Sequence, residues 1–96
     1  MKRVVWTRTA INDLNRIRGY FDDVAPELAQ EQMDRIILSA RWLLDYPQAG
    51  SVVGTGRWRR WRARRTRYLV IYQPDERGIV VGHVRDDRSA WQLLPE

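Results

Sequence analysis

The sequence predicts an α+β domain, on three observations. Two stretches, residues 10–24 and 29–44, carry apolar residues at alternating spacings of four and three, with only a break at Pro26 between them. A short β-forming run, Arg3–Trp6, precedes them. Two further β-forming runs, at residues 68–72 and 79–84, follow and are separated by the turn chemistry of Pro74, Asp75, Glu76, Arg77 and Gly78. The order is therefore one strand, two helices, then strands.

Taken in order, Arg3–Trp6 is a strand whose partners must lie later in the chain. Thr7 or Thr9 then supplies a helix cap, its hydroxyl accepting from a free N–H of the first turn. Ala10, Leu14, Ile17, Phe21 and Val24 form one face of that helix, while Asn12, Asn15, Arg16 and Asp22 lie opposite. Pro26 disfavours helix at Ala25 and suits the first position of a new one. Ala29, Met33, Ile36, Ala40 and Leu43 repeat the stripe, Ile37 and Leu44 widen it, and the helix is expected to end near Tyr46, before Pro47. So short a connection makes the helices an antiparallel αα-hairpin. Each stripe is read as core.

Residues 47–56, with three glycines and no clear periodicity, read as a loop. An arginine-rich strand follows. Residues 69–72 and 79–81 are almost wholly apolar, so the strands they form are buried on both faces. The helical hairpin covers one face. The other needs the C-terminal segment, a second subunit or a partner.

Ninety-six residues, 44% hydrophobic and 30% charged, suit a single domain spanning 1–96. Without cysteine there are neither disulfides nor thiolate metal sites, which fits a reducing cytoplasm. No apolar run approaches the roughly 20 residues needed to span a bilayer. A cytoplasmic protein without membrane, cofactor or metal is expected.

Charge is concentrated. Seven of the eleven residues from 57 to 67 are arginines, with no carboxylate among them. Residues 1–56 balance seven basic against seven acidic side chains, and residues 68–96 are net acidic, so this segment holds all the net charge of +5. A field of one sign favours a phosphate backbone or an acidic protein. Arginine's planar fork also binds phosphate or carboxylate in bidentate fashion, as lysine does not. Protection of a sheet edge is the simpler explanation, though seven arginines exceed that need. Trp58 and Trp61, within the run, suit core packing, base stacking or partner anchoring.

The sequence resembles the RelE/ParE superfamily of bacterial type II toxins over nearly its whole length, and is closer to the ParE branch. Trp6, Thr7, Ala10, Asp13, Leu14, Ile17 and Tyr20 match the motif W-T-x-x-A-x-x-D-L-x-x-I-x-x-Y. Pro47 with Gly50, the run R-Y-L-V-I-Y at 67–72, and V-x-x-V-R-D-D-R at 81–88 follow in order. The resemblance implies that the later strands form a three-stranded antiparallel meander, which completes one sheet with the first strand and precedes a short C-terminal segment. It also implies a cytoplasmic toxin, blocked by a cognate antitoxin, ParD-like or other, in a hetero-oligomer. ParE-type toxins inhibit growth by poisoning DNA gyrase, whereas RelE-type toxins cleave mRNA on the ribosome.

Metal-independent RNA cleavage needs a base, an acid, and cations on the developing phosphorane charge. His83, Arg85, Arg62 and Arg64 are the candidates for such an enzyme, with Arg65 able to share one sheet face with the other arginines. His83 is the only histidine, and on a buried strand it reads first as structural. Ribosome-dependent members often carry a catalytic tyrosine or histidine near the C-terminus, and residues 86–94 contain neither. The expectation is therefore a gyrase inhibitor with no catalytic residues. Its target surface is expected at Arg57, Arg59, Arg60, Arg62, Arg64, Arg65 and Trp91, although Trp91, Leu93 and Leu94 equally suit a tail packed on the sheet. An acidic, disordered antitoxin segment is expected to lay an amphipathic helix against Leu14, Ile17, Phe21, Trp42 and Tyr46. The third reading is a non-toxic nucleic-acid-binding module, with steeply salt-dependent affinity.

Overall fold

In the computed structural model, which describes residues 1–88, the elements are β1 (Arg3–Trp6), α1 (Arg8–Val24), α2 (Pro26–Trp42), β2 (Ser51–Val53), β3 (Trp58–Arg62), β4 (Tyr68–Asp75) and β5 (Gly78–Asp86). They form an α+β fold with one five-stranded sheet in the order β1-β5-β4-β3-β2. β1 runs parallel to β5, and every other neighbouring pair is antiparallel. The meander therefore has four strands rather than three, because residues 51–53, read from sequence as loop, pair with β3 through Ser51 and Arg60, Val52 and Arg59, and Val53 and Trp58. Three residues are too few to show alternation. The glycines around them, Gly54 with φ 63° and Gly56 with φ 116°, make the return turn.

Thr7 explains how the first helix is attached. Its Oγ1 accepts from the Ala10 N–H at 3.1 Å, capping α1, and donates to the Gly82 carbonyl at 3.1 Å. The Thr7 N–H also donates to the Val81 carbonyl at 3.0 Å, so the helix start is fixed to β5. One turn on, Asp13 is only 2% exposed. Its Oδ2 accepts from the Val84 N–H at 2.9 Å, and its Oδ1 from Arg16 at 3.2 Å. A buried carboxylate is tolerable because these donors replace water.

Ala10 and Ile17 are buried in α1, Leu14 and Phe21 are half-buried against the core, but Val24 is 63% exposed. Val24 sits at the end of the helix, next to the chain reversal at Ala25 and Pro26. In α2, Ala29, Met33, Ile36 and Ala40 are buried, as is Leu43 just beyond it. The α-helix closes at Trp42, earlier than the sequence suggests, and continues in tight i to i+3 turns through Leu44 and Asp45.

The sheet has two unlike faces. Tyr68, Val70 and Tyr72 of β4 and Ile79, Val81 and Val84 of β5 join the core with Ile36, Ala40 and Leu43. Tyr72 is fully buried, with its hydroxyl accepting from the Gly50 N–H at 2.9 Å and donating to the Pro47 carbonyl at 2.7 Å. Burial pushes its pKa up against the opposing effect of that Gly50 bond. Gly50 itself has no room for a side chain, since a Cβ would lie 2.7 Å from both the Arg60 carbonyl and the Tyr72 hydroxyl.

Candidate functional site

Strand alternation sends the arginines in different directions. Arg59 and Trp61 share the helix side of the sheet with Tyr72 and Val70, whereas Arg60 and Arg62 pair with Ile71 and Leu69 on the other, open face. The β4–β5 register adds His83 beside Ile71 and Arg85 beside Leu69 to that open face. Trp58, two residues before Arg60, joins them. Its indole passes over Gly82, where a Cβ would come within 2.6 Å of the ring, and meets His83 edge to face at 6.3 Å between centroids. The irregularity between Ile71 and Tyr72 brings Gly82 into the strand opposite no residue, which makes this approach possible.

On the open face, the cations are held by short-range partners. Arg62 is paired with Asp87, whose carboxyl is held below its ordinary range by that hydrogen bond. Arg67, by contrast, is held on the helix side: its Nε lies 2.8 Å from Oδ2 of Asp86, the residue opposite Tyr68, and its guanidinium sits 5.5 Å from the ring centroid of Tyr20 in α1 and 5.8 Å from that of Tyr68. Arg85 Nη2 lies 3.3 Å from His83 Nδ1. A guanidinium has only donors, so Nδ1 accepts and the imidazole proton is on Nε2. Burial first, then the Arg85 charge, lower the His83 pKa, with Asp13 opposing. The imidazole is therefore neutral near pH 7, and its basic nitrogen is already engaged.

The helix side holds a separate feature. Arg35, Leu38 and Trp42 of α2, with Trp61, Arg64 and Arg65 across from them, line an open groove of about 620 Å³. Trp42 stacks with Tyr46, at 4.6 Å between centroids, and with Trp61, at 4.9 Å. The groove's rim is fixed by two bonds: the Arg64 N–H donates to Ser39 Oγ at 3.1 Å, and Arg35 Nη1 donates to the Arg65 carbonyl at 3.2 Å. Arg65 turns the β3–β4 hairpin at φ 61°, a conformation uncommon for a residue with a side chain.

The arginine segment is thus not one surface. Arg57 is exposed before β3, Arg60 and Arg62 lie on the open face, and Arg64 and Arg65 stand at the groove. Arg59 is spent on the loop before β2, donating to the Gln48 carbonyl, to Gln48 Oε1 and, at 2.7 Å, to the Gly50 carbonyl. His83, Arg85 and Arg62 come together, while Arg64 is separated from them, contrary to the expectation that it lines the same sheet face. Of the apolar candidates, Ile17 is core at 7% exposure, Leu14 and Phe21 are half-buried, and Trp42 and Tyr46 are exposed at 41% and 55%. Trp91 lies outside the described residues. Sequence reasoning missed Leu38 and Trp61 as groove residues. Leu38, Trp42 and Tyr46 do recur every four residues, which was a usable signal.

Among the described residues, no three His, Cys, Asp or Glu side chains are grouped to hold a metal, and no helix is long and apolar enough to cross a membrane. Comparison with known proteins places this geometry in a family. The family model describing the ParE toxin of the type II toxin-antitoxin system parDE matches residues 4–91. A chain of the chromosomal ParDE TA system from P. aeruginosa has the same fold, with a TM-score of 0.78 at 20% identity, over 90% of this chain and 96% of that one. Toxin RelE2 of Caulobacter vibrioides is 40% identical over 50 residues, which is 52% of this chain and 57% of that protein. The match thus spans little more than half the length of that relative. With the family model covering all but the two ends, the chain belongs to the ParE toxin family of type II toxin-antitoxin systems, within the RelE/ParE superfamily.

Proposed function

We propose that the chain is a cytoplasmic toxin that inhibits DNA gyrase and growth through a binding surface, and that an antitoxin neutralises it. The observation that carries this reading is the state of His83. It is neutral, its Nδ1 accepts from Arg85, and its face of the sheet offers cations without a paired base and acid among the described residues. Such a face can hold an anionic or polar target; it is poorly equipped to move two protons. The target surface is Arg57, Arg60 and Arg62, with Trp91 as a further candidate outside the described residues.

The test is DNA supercoiling by purified gyrase with the purified chain added, alongside induction of the gene without its antitoxin. Lost supercoiling, accumulated cleaved DNA and a DNA-damage response with translation still running are expected. Unaltered gyrase activity with prompt translation arrest would reject the reading.

A second reading, a RelE-like mRNA endonuclease, has one specific observation in its favour. Arg62, His83 and Arg85 do share a sheet face, and Arg85 Nε is buried without a hydrogen-bond partner among the described residues, a donor that a phosphate oxygen would satisfy. In that case His83→Gln abolishes mRNA cleavage. Under the gyrase reading the same substitution leaves supercoiling inhibition within about twofold, because an inhibitor that binds without proton transfer keeps the Arg60 and Arg62 cations of that face.

A further inference from the structure

We propose that a separate cleft, between the end of α1 and the β3–β4 hairpin, binds an adenine nucleotide. Tyr20 and Phe21 of α1, Gln32 of α2, and Arg65, Thr66 and Arg67 of the hairpin line it, around an open volume of about 420 Å³. That lies within the roughly 300–1,000 Å³ of small-molecule sites. Arg65 also lines the groove along α2, whose Trp42 is among the expected contacts of an acidic antitoxin segment. The nucleotide site does not depend on that expectation.

Packing alone does not account for the lining. Tyr20 is 44% exposed, and its one aromatic-ring contact among the described residues is edge to face with Phe21, at 5.2 Å and 85°. A planar ligand therefore has a ring surface to stack on. Gln32 is half-buried, yet its amide makes no hydrogen bond among the described residues. Thr66 differs, because its hydroxyl is used inside the turn, donating to the Ala63 carbonyl at 2.8 Å and accepting from the Tyr68 N–H at 3.0 Å. The amide is thus the cleft's available reader of a base. It presents a donor and an acceptor side by side, which complements the Hoogsteen edge of adenine.

Charge supplies the other half of the ligand. Arg65 and Arg67 line the cleft and no carboxylate does. The Arg67 guanidinium is positioned by Tyr20 and Tyr68, and its Nε meets Asp86 as an ion pair without hydrogen-bond alignment, so its donors are not saturated. Arg65 is exposed with no ion pair among the described residues, while its backbone is fixed by the bond from Arg35 Nη1 to its carbonyl. Two guanidinium forks suit a phosphate, whose several oxygens they can share, better than a single carboxylate. A free phosphate would leave the Tyr20 ring and the Gln32 amide unused, and an aromatic side chain would leave the cations unused. Base and phosphate together use all of them.

The probes are ADP, GDP, adenosine and inorganic phosphate, titrated into the full chain, with proton–nitrogen correlation NMR to locate the site. ADP is expected to shift the Gln32 amide and Arg67 Nε signals before those of Arg60 and Arg62, and to bind at least about 10-fold more tightly than adenosine or phosphate. Tyr20→Leu is expected to weaken ADP binding about 10-fold, the scale of base–aromatic stacking. Arg65→Asn removes the cation but tolerates the left-handed backbone, and is expected to weaken ADP and leave adenosine unchanged. Gln32→Leu is expected to erase the preference for ADP over GDP. These last two positions are at the surface, so the test survives a failure of the Tyr20 variant to fold. No binding of ADP at about 1 mM would overturn the proposal. Phosphate binding as tightly as ADP would reduce the cleft to an anion site and overturn it as well. So would ADP affinity lost in Arg62→Ala but kept in the cleft variants, which would assign the nucleotide to the open face.

Discussion

Along β4 alternate residues enter opposite environments. Tyr68, Val70 and Tyr72 meet the helices, whereas Leu69 and Ile71 lie on the open face among Arg60, Arg62, His83 and Arg85. Both sets are buried, with exposures of 7% or less. The difference is in what surrounds them. The helix side is closed by apolar packing and by the buried bonds of Asp13 and Tyr72. The open face is framed by guanidinium groups, of which Arg62 is held by Asp87 and Arg85 by His83. One side is committed to stability, and the other leaves its cations near the surface, where they are able to exchange partners. The same side chains that would be a liability in the core are there a means of recognition.

Breaking the helix side should therefore cost stability in proportion to burial. Ile36→Ala, at a fully buried position, is expected to destabilise by about 2–5 kcal/mol in urea unfolding, as deletions from packed cores do. Asp13→Ala should cost about 2 kcal/mol, because it leaves the Val84 N–H buried and unpaired. Tyr72→Phe is expected to cost about 1–2 kcal/mol, since the Gly50 N–H and the Pro47 carbonyl both lose their partner.

The open face should respond in the opposite way. Arg62→Ala removes a solvent-exposed pair with Asp87 and should leave the urea-unfolding midpoint close to that of the wild type, while weakening gyrase inhibition. His83 gives the smallest effect. Its folded pKa lies below the ordinary 6.5, so the unfolded chain binds the proton more readily in that window. The stability associated with neutral His83 is full above about pH 6.5 and is lost as pH falls through the lower folded value. Melting temperatures measured between pH 5 and 8 should drop less steeply on the acid side in His83→Gln than in the wild type.

Much of this fold was legible because its long elements obey simple periods. Thr7, Pro26 and the two helical stripes placed α1 and α2, and the apolar runs placed β4 and β5. Strand β2 was hidden because Ser51, Val52 and Val53 are too few to carry a period and sit among glycines that signal a loop. Val24 continued the stripe by spacing although it lies past the edge of the core, which no single-helix pattern can report. Asp13 was hidden for the converse reason: periodicity assigns polar residues to solvent, and only the Val84 N–H makes its burial intelligible.

The candidate site was less legible. The concentration of arginine was obvious, but its division was not, because it depends on which residues of β3 alternate and where the hairpin turns at Arg65. Arg59 was indistinguishable in sequence from Arg60, yet it anchors the loop at Gln48 and Gly50. The groove needed tertiary contact between α2 and Trp61 to exist at all.

The division of labour between the two sides is tested most directly by measuring two activities on the same pair of variants. One carries Arg57→Ala, Arg60→Ala and Arg62→Ala; the other carries Arg64→Glu and Arg65→Glu. Each would be assayed for inhibition of gyrase supercoiling and for affinity toward the protein encoded beside the gene. The expected result is a crossed pattern, in which the first loses gyrase inhibition and keeps partner binding, while the second weakens partner binding and keeps inhibition. Parallel losses of both activities in both folded variants would contradict the account, since the arginines would then act as one undivided surface.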